Sequence, residues 1–122
     1  MAGEAILVVD DNSLNVKLAR AVLENAGYEV HSAGDATTAF AQLELVRPRL
    51  IIMDLKLPGM DGFELAHAIK DDPRYNDIPI IAMTASGLTR DEQRARLAGC
   101  DDYVAKPFDI DTLVATIVRL LG

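Results

Sequence analysis

Short apolar runs alternate along the chain with longer stretches in which apolar residues recur at helical spacing. The runs cover residues 5–9, 28–33, 50–53, 80–83 and 102–105. Three of the five are almost wholly apolar, which is typical of strands buried on both faces of a parallel sheet. The pattern therefore predicts five strands, each separated from the next by a helix.

The stretches between the runs carry the signals of helices. Apolar residues in 35–43 and 109–121 follow the i, i+3, i+4 spacing of one helix face. Asp61 stands three positions before a Glu, as in a helix-capping box. Gly27 and Gly99 stand where a helix should end. Counting the C-terminal stretch, we predict five helices.

Five strands in strict alternation with five helices predict a doubly wound α/β fold with helices on both faces of a parallel sheet. The chain has 122 residues, and we assign residues 1–122 to one domain. The usual strand order for such a sheet is 2-1-3-4-5, as in flavodoxin-like folds. Ligands then bind between strands 1 and 3, beyond the carboxyl ends of the strands.

Composition narrows the classes of function. The chain carries 12 basic and 19 acidic residues and a net charge of -7, which disfavours direct binding to nucleic acid. The single cysteine, Cys100, can form neither an internal disulfide nor a cysteine-based zinc site. We find no apolar run long enough to span a membrane and no signal peptide at the start. We therefore predict a cytoplasmic protein.

Reactive side chains stand at the ends of four of the five predicted strands. Strand 1 ends in Asp10 and Asp11, strand 3 ends in Asp54, strand 4 ends in Thr84, and strand 5 leads into Lys106. All should lie on one rim of the sheet. Three neighbouring carboxylates repel one another unless a cation neutralises them. Oxygen ligands without a nearby histidine or thiol favour Mg²⁺.

The same side chains indicate phosphoryl transfer. Asp54 stands alone before a turn, so its carboxylate is the natural nucleophile and would form an acyl phosphate. Mg²⁺ and the ammonium of Lys106 can neutralise the transferred group, and the hydroxyl of Thr84 can donate a hydrogen bond to it. A loop carbonyl, which we assign to Lys56, can complete the metal site. Of the adjacent Asp10 and Asp11, one can bind metal directly and the other through water.

Four motifs at these strand ends resemble the receiver domain of two-component response regulators. They are residues 8–12 (VVDDN), residues 53–62 (MDLKLPGMDG), residues 84–85 (TA) and residues 103–108 (YVAKPF). The resemblance covers essentially the whole chain. The acidic motif with Asn15 is similar both to receivers of hybrid histidine kinases and to small stand-alone regulators. A complete regulator and an excised receiver domain both fit the sequence.

The resemblance implies a role for each residue of the phosphorylation site. Asp54 would accept a phosphoryl group from a histidine kinase or a histidine phosphotransfer protein. Asp11, Asp54 and the carbonyl of Lys56 would ligate Mg²⁺ directly, and Asp10 would assist through water.

The resemblance also implies how phosphorylation is transmitted. Thr84 would move towards the phosphoryl group, Tyr103 would change rotamer, and Lys106 would pair with the new charge. The bond from Lys106 to Pro107 is usually cis in the family. The face formed by the fourth predicted helix, the fifth strand and the last helix would then change its affinity for a downstream protein.

Two enzyme or carrier hypotheses compete with this signalling function. An aspartyl-phosphate hydrolase would use the same nucleophile and Mg²⁺, but such enzymes usually carry an Asp at the position of Lys56. A flavodoxin-like cofactor carrier would need a phosphate-binding loop where this chain has Asp10 and Asp11. We expect no turnover of small substrates beyond slow loss of the chain's own phosphoryl group.

The remaining polar residues favour ordinary structural roles. His31 and His67 lie away from the predicted rim, so we do not assign them to a phosphohistidine or metal site. Arg90, Arg94 and Arg96 form a basic stretch in an acidic chain. We interpret that stretch first as a solvated helix face and second as part of a partner-binding surface.

Overall fold

Five parallel strands form one sheet in the computed structural model, which describes residues 3–55, 61–84, 93–94, 96–105 and 110–121, with only the backbone at positions 84 and 105. The strands are β1 (Ala5–Val9), β2 (Glu29–Ala33), β3 (Leu50–Asp54), β4 (Ile80–Thr84) and β5 (Asp102–Ala105). Their order is β2-β1-β3-β4-β5, and every neighbouring pair is parallel. The predicted fold class and strand order are confirmed.

Four helices have continuous bounds in the described part of the chain, where we predicted five. They are α1 (Ser13–Asn25), α2 (Ala36–Val46), α3 (Gly62–Lys70) and α4 (Ile110–Leu121). The other predicted helix, between β4 and β5, falls mostly outside the described residues. Within it, residues 93, 94, 96 and 97 are helical, and we call these four residues the pre-β5 helical segment. None of the described helices is long and apolar enough to cross a membrane.

Local sequence explains where these helices begin and end. Asn12, Asp35 and Asp61 are the N-caps of α1, α2 and α3, and each side chain accepts hydrogen bonds from backbone N–H groups of the first turn. Gly27 and Gly99 both have φ of +97°, the left-handed conformation in which helices commonly end. The predicted cap at Asp61 and the predicted stops at both glycines are confirmed.

Alternate residues of each strand pack into two separate hydrophobic cores, one on each face of the sheet. Leu7 and Ile51 are fully buried beneath α2 and α3. Ile6 and Ile52 are buried beneath α1 and α4. Because both faces are covered, successive residues of a strand are all apolar, which explains the contiguous runs in the sequence.

The strand registers bring the carboxyl ends of the strands level with one another. Asp54 pairs with Met83, and Thr84 pairs with Ala105. Asp54 and Thr84 are thus the last residues of β3 and β4, as the sequence predicts. One rim of the sheet consequently holds the ends of β1, β3 and β4 together.

Candidate functional site

Three acidic side chains meet at the carboxyl ends of β1 and β3. Asp10, Asp11 and Asp54 each place a carboxylate oxygen within 4.8 Å of one another. The two strands are neighbours in the sheet although their sequences are far apart. The reversal of strand order between β1 and β3 therefore produces the acidic cluster that the sequence predicted at this point.

Asp10 is fixed by hydrogen bonds of its backbone and its side chain. Its backbone N–H donates to the Ala33 carbonyl at 2.9 Å, which continues the pairing of β1 with β2. Its Oδ1 accepts the backbone N–H of Asn12 at 2.9 Å. Only 6% of Asp10 is exposed, whereas Asp11 beside it is exposed. The carboxylate of Asp10 is thus held in place, and that of Asp11 projects towards solvent.

Asp54 is held by the sheet and by the start of α3. It is 8% exposed, and the next residue, Leu55, donates its N–H to the Met83 carbonyl at 3.1 Å. Gly62 packs directly on this backbone: a Cβ there would lie 2.6 Å from the Asp54 carbonyl oxygen and 2.6 Å from the Leu55 Cα. Glycine is therefore required at position 62 for this close approach.

The donor set of this cluster fits a hard divalent cation. Two of the three carboxylates are buried, so water screens their mutual repulsion poorly, and a bound cation would offset it. All three groups offer oxygen ligands, the kind that Mg²⁺ prefers. A bound Mg²⁺ would need only one or two of these carboxylates and would keep several waters.

The other predicted site residues are partly described. Thr84 ends β4 on the same rim, and the position of its hydroxyl lies outside the described part of the structure. Tyr103 on β5 is half-buried and packs against the core beneath α3. Lys56, Lys106 and Pro107 lie outside the described residues. The roles of all these residues stay predictions.

A shallow cavity of about 330 Å³ opens beside the acidic cluster. Asp10 and Asp11 form one wall, and the start of α1, the end of β2 with the loop after it, and the first turn of α2 form the rest. Lys17 and Gly34 are among the lining residues.

Sequence reasoning missed two residues that shape the site. Asn12 was assigned only to a motif, although an Asn directly before a helix is a common N-cap and the signal was present. Gly62 is predicted only as the last residue of the motif at 53–62, whereas in the structure it contacts the backbone of Asp54 as the first residue of α3. No local sequence pattern predicts that contact, because it depends on the packing of α3 against the end of β3.

Comparison with known proteins agrees with this geometry. Residues 6–118 match the family model of the response regulator receiver domain. The polar-differentiation response regulator DivK of Brucella anthropi is 38% identical over 119 residues, which cover 98% of this chain and 97% of that protein. The match to DivK of Brucella ovis is 37% identical with the same coverage.

Solved structures show the same fold. A putative response regulator from Chloroflexus aurantiacus has a TM-score of 0.94 at 34% identity, with 98% of each chain covered. The chemotaxis response regulator CheY4 of Vibrio cholerae has a TM-score of 0.91 at 32% identity, covering 98% of this chain and all of that one (100%).

A third solved structure bears on the metal. It is the receiver domain of the sensor histidine kinase PA1611 from Pseudomonas aeruginosa, with a magnesium ion coordinated in its active-site cleft. Its TM-score is 0.90 at 36% identity, and the match covers 99% of each chain. From the family match and these relatives together, the chain belongs to the response regulator receiver domain family.

Proposed function

We propose that this chain is a signalling switch in which Asp54 accepts a phosphoryl group from a phosphohistidine donor. The observation that carries the proposal is the convergence of Asp10, Asp11 and Asp54 within 4.8 Å at the end of the sheet. Membership of the receiver family supports the same assignment.

The chemistry follows from the carboxylate at the end of β3. An oxygen of Asp54 attacks the phosphorus of the phosphohistidine, the P–N bond breaks as the P–O bond forms, and the released imidazole takes up a proton. Mg²⁺, when bound, neutralises charge on the transferred oxygens. Asp10, which accepts the Asn12 N–H, and the exposed Asp11 are the residues that would hold the ion beside Asp54. The carbonyl of Lys56 would complete the set.

The phosphorylated state would be transmitted through the edge of the sheet at β5. We assign Thr84 and Lys106 to the phosphoryl group and Tyr103 to the rotamer change that follows. The half-buried position of Tyr103 supports this role, because a ring that is neither fully packed nor fully solvated can exchange between two environments. Arg119 of α4 pairs with Asp102 of β5, so a shift of the strand would also move α4.

The surface affected by this change comprises the pre-β5 helical segment, β5 and α4. Exposed apolar side chains lie on its two helical parts: Leu97 in the segment, and Ile110 and Val118 in α4. We propose that this surface binds a downstream protein with an affinity that depends on phosphorylation. The donor would be a histidine kinase or a histidine phosphotransfer protein.

The remaining parts of the assignment are proposals of the same kind. The chain would not turn over small substrates and would at most slowly lose its own phosphoryl group. The net charge of -7 argues against direct binding of nucleic acid. A cytoplasmic location stays a prediction from the sequence.

The test is covalent phosphorylation followed by intact-protein mass spectrometry. Incubation with acetyl phosphate and Mg²⁺ should add one phosphoryl group, and chelation of the metal should prevent the addition. Asp54→Asn should abolish uptake, whereas the matched variant Asp77→Asn, in the turn before β4, should retain it. Uptake that survives Asp54→Asn would refute the assignment. Turnover of a phosphoester would instead favour a hydrolase, and a bound yellow cofactor would favour a flavin carrier.

A further inference from the structure

Arg94 of the pre-β5 helical segment reaches across to the start of α3. Its guanidinium lies over the Phe63 ring, 4.0 Å from the ring centroid. Its terminal nitrogen lies 3.5 Å from a carboxylate oxygen of Asp61. The sequence suggested that the Arg94 side chain was solvated or bound a partner. In the structure it makes contacts within the molecule instead.

The two residues that Arg94 contacts are the neighbours of Gly62 on either side. Gly62 donates its N–H to the Leu55 carbonyl at 3.0 Å, and its Cα lies against the backbone of Asp54 with no room for a Cβ. Since no side chain separates the two backbones, a displacement of Gly62 cannot be absorbed by a change of rotamer. The close contact therefore offers a direct path by which such a displacement reaches the end of β3.

We infer that Arg94 is a positioning residue, which couples the pre-β5 helical segment to the backbone of Asp54 through its contacts with both neighbours of Gly62. The inference rests on the proposed function, since it concerns how the phosphoacceptor is held. Coupling of this kind is reciprocal: if the segment influences ligand binding at Asp54, binding at Asp54 influences the segment by the same factor.

The two contacts of Arg94 differ in chemistry, and their strengths limit how much Arg94 can change ligand binding at Asp54. The side chains of Arg94 and Asp61 are 52% and 39% exposed, so solvent screens their ion pair strongly. The contact of the guanidinium with the Phe63 ring depends less on salt. Exposed contacts of this class correspond to a change of roughly two- to fivefold in an equilibrium constant. Arg94 should therefore adjust the geometry at Asp54 without deciding whether the site forms.

The first arm of the test removes each partner separately and then both. The variants are Arg94→Ala, Asp61→Asn and the double variant, each titrated with Mg²⁺ by isothermal titration calorimetry. Asn caps a helix about as well as Asp, so Asp61→Asn removes the charge and keeps the start of α3. Arg94→Ala should weaken Mg²⁺ binding by about two- to fivefold. The double variant should weaken it by less than the product of the single effects.

Arg94→Lys separates positioning from general stability. Lysine keeps the charge near Asp61 but lacks the planar group that covers the ring, so it should restore part of the lost affinity. Thermal unfolding, measured alongside, should change little among the variants. If Arg94→Ala does not fold, the comparison of Arg94→Lys and Asp61→Asn with the wild type decides the question instead.

Arg74 provides a matched control within the chain. It also lies over an aromatic ring, that of Tyr75 at 4.8 Å, and also pairs with an aspartate, Asp72 at 2.8 Å. These residues lie beyond the far end of α3 from Gly62. Arg74→Ala should leave Mg²⁺ affinity and the rate of phosphoryl uptake unchanged.

The possible outcomes separate the inference from the proposed function. If the wild type neither binds Mg²⁺ nor takes up a phosphoryl group, the proposed function fails. If the wild type does both and Arg94→Ala behaves like Arg74→Ala, only the coupling through Arg94 is refuted. Independent effects of Arg94→Ala and Asp61→Asn would also refute it.

Discussion

Replacing Gly62 by alanine tests how tightly α3 is packed against the phosphoacceptor. The added methyl group would lie 2.6 Å from two backbone atoms, the Asp54 oxygen and the Leu55 Cα. An ordinary contact begins at 3.4 Å, so the backbones must separate by about 0.8 Å, the difference between the two distances. Neither atom belongs to a side chain that could move away, so the strain falls on the start of α3 or the end of β3.

The expected loss of stability follows from two opposing effects. Inserting a methyl group into a closely packed contact costs about 1–3 kcal/mol. Replacing Gly by Ala also reduces the freedom of the unfolded chain, which returns about 0.4–1 kcal/mol. The net loss is about 1–2 kcal/mol, which lowers the melting temperature of a domain of this size by roughly 4–8 °C.

Thermal unfolding followed by circular dichroism measures this loss, and Gly34→Ala is the matched control. Gly34 also lies on the acidic rim, but a Cβ there would lie 3.9 Å from its nearest neighbour, the Asp10 carbonyl oxygen. That variant should be as stable as the wild type or slightly more stable. Mg²⁺ titration should show weaker binding for Gly62→Ala alone, because only this substitution displaces Asp54.

Equal melting temperatures for Gly62→Ala and Gly34→Ala would refute the close contact. A lower melting temperature with unchanged Mg²⁺ affinity would mean that α3 moves alone and Asp54 stays in place. That result would also weaken the case for coupling through Arg94, which depends on the same contact.

Two further predictions concern polar side chains outside the site. Burial, followed by the charge of Asp101, raises the pKa of the Cys100 thiol from 9.0 to about 11. At pH 8 thiol-directed labelling of the folded protein should therefore be slower than that of the urea-unfolded chain by at least about a hundredfold, and comparable rates would contradict the burial. Asp101→Ala removes the partner of Lys70 at 2.9 Å and of the Ile80 N–H at 2.8 Å. It should lower the free energy of unfolding, measured with urea, by about 1–2 kcal/mol without altering phosphoryl uptake, because solvent screens the partly exposed ion pair and the main loss is the acceptor of the Ile80 N–H. An unchanged urea midpoint would argue against this role.

The fold was predictable because burial on both faces of the sheet requires runs of consecutive apolar residues, which are easily recognised in a sequence. The run at 50–53 is wholly apolar since alternate residues enter opposite cores. The error lies at the start of β2, which begins at Glu29 rather than residue 28, whereas β3 and β4 end at Asp54 and Thr84 as predicted. Hydrophobicity ends one residue before the backbone pairing does, because Asp54 still has a partner in β4.

The acidic site was predictable from residue type and strand order, but the side-chain contacts that hold the neighbouring helix in place were not. Asp10, Asp11 and Asp54 follow from the rule that strand ends share a rim. The contact between Arg94 and Asp61 joins residues 33 positions apart, and no periodicity relates them. Such contacts depend on how two helices pack, which the pattern of apolar residues does not specify.

The carboxyl ends and the amino ends of the strands carry opposite electrostatic arrangements, and α3 runs from one to the other. At the carboxyl edge, α3 begins with Gly62 against a cluster of three like charges, an arrangement that costs stability. At the amino edge it ends with Lys70, whose side chain is 17% exposed and reaches both Asp101 and the Ile78 carbonyl. Because the stabilising ion pair lies at the end of α3 remote from the acids, substitutions there should change stability alone. Substitutions at the start of the helix should change stability and ligand binding together.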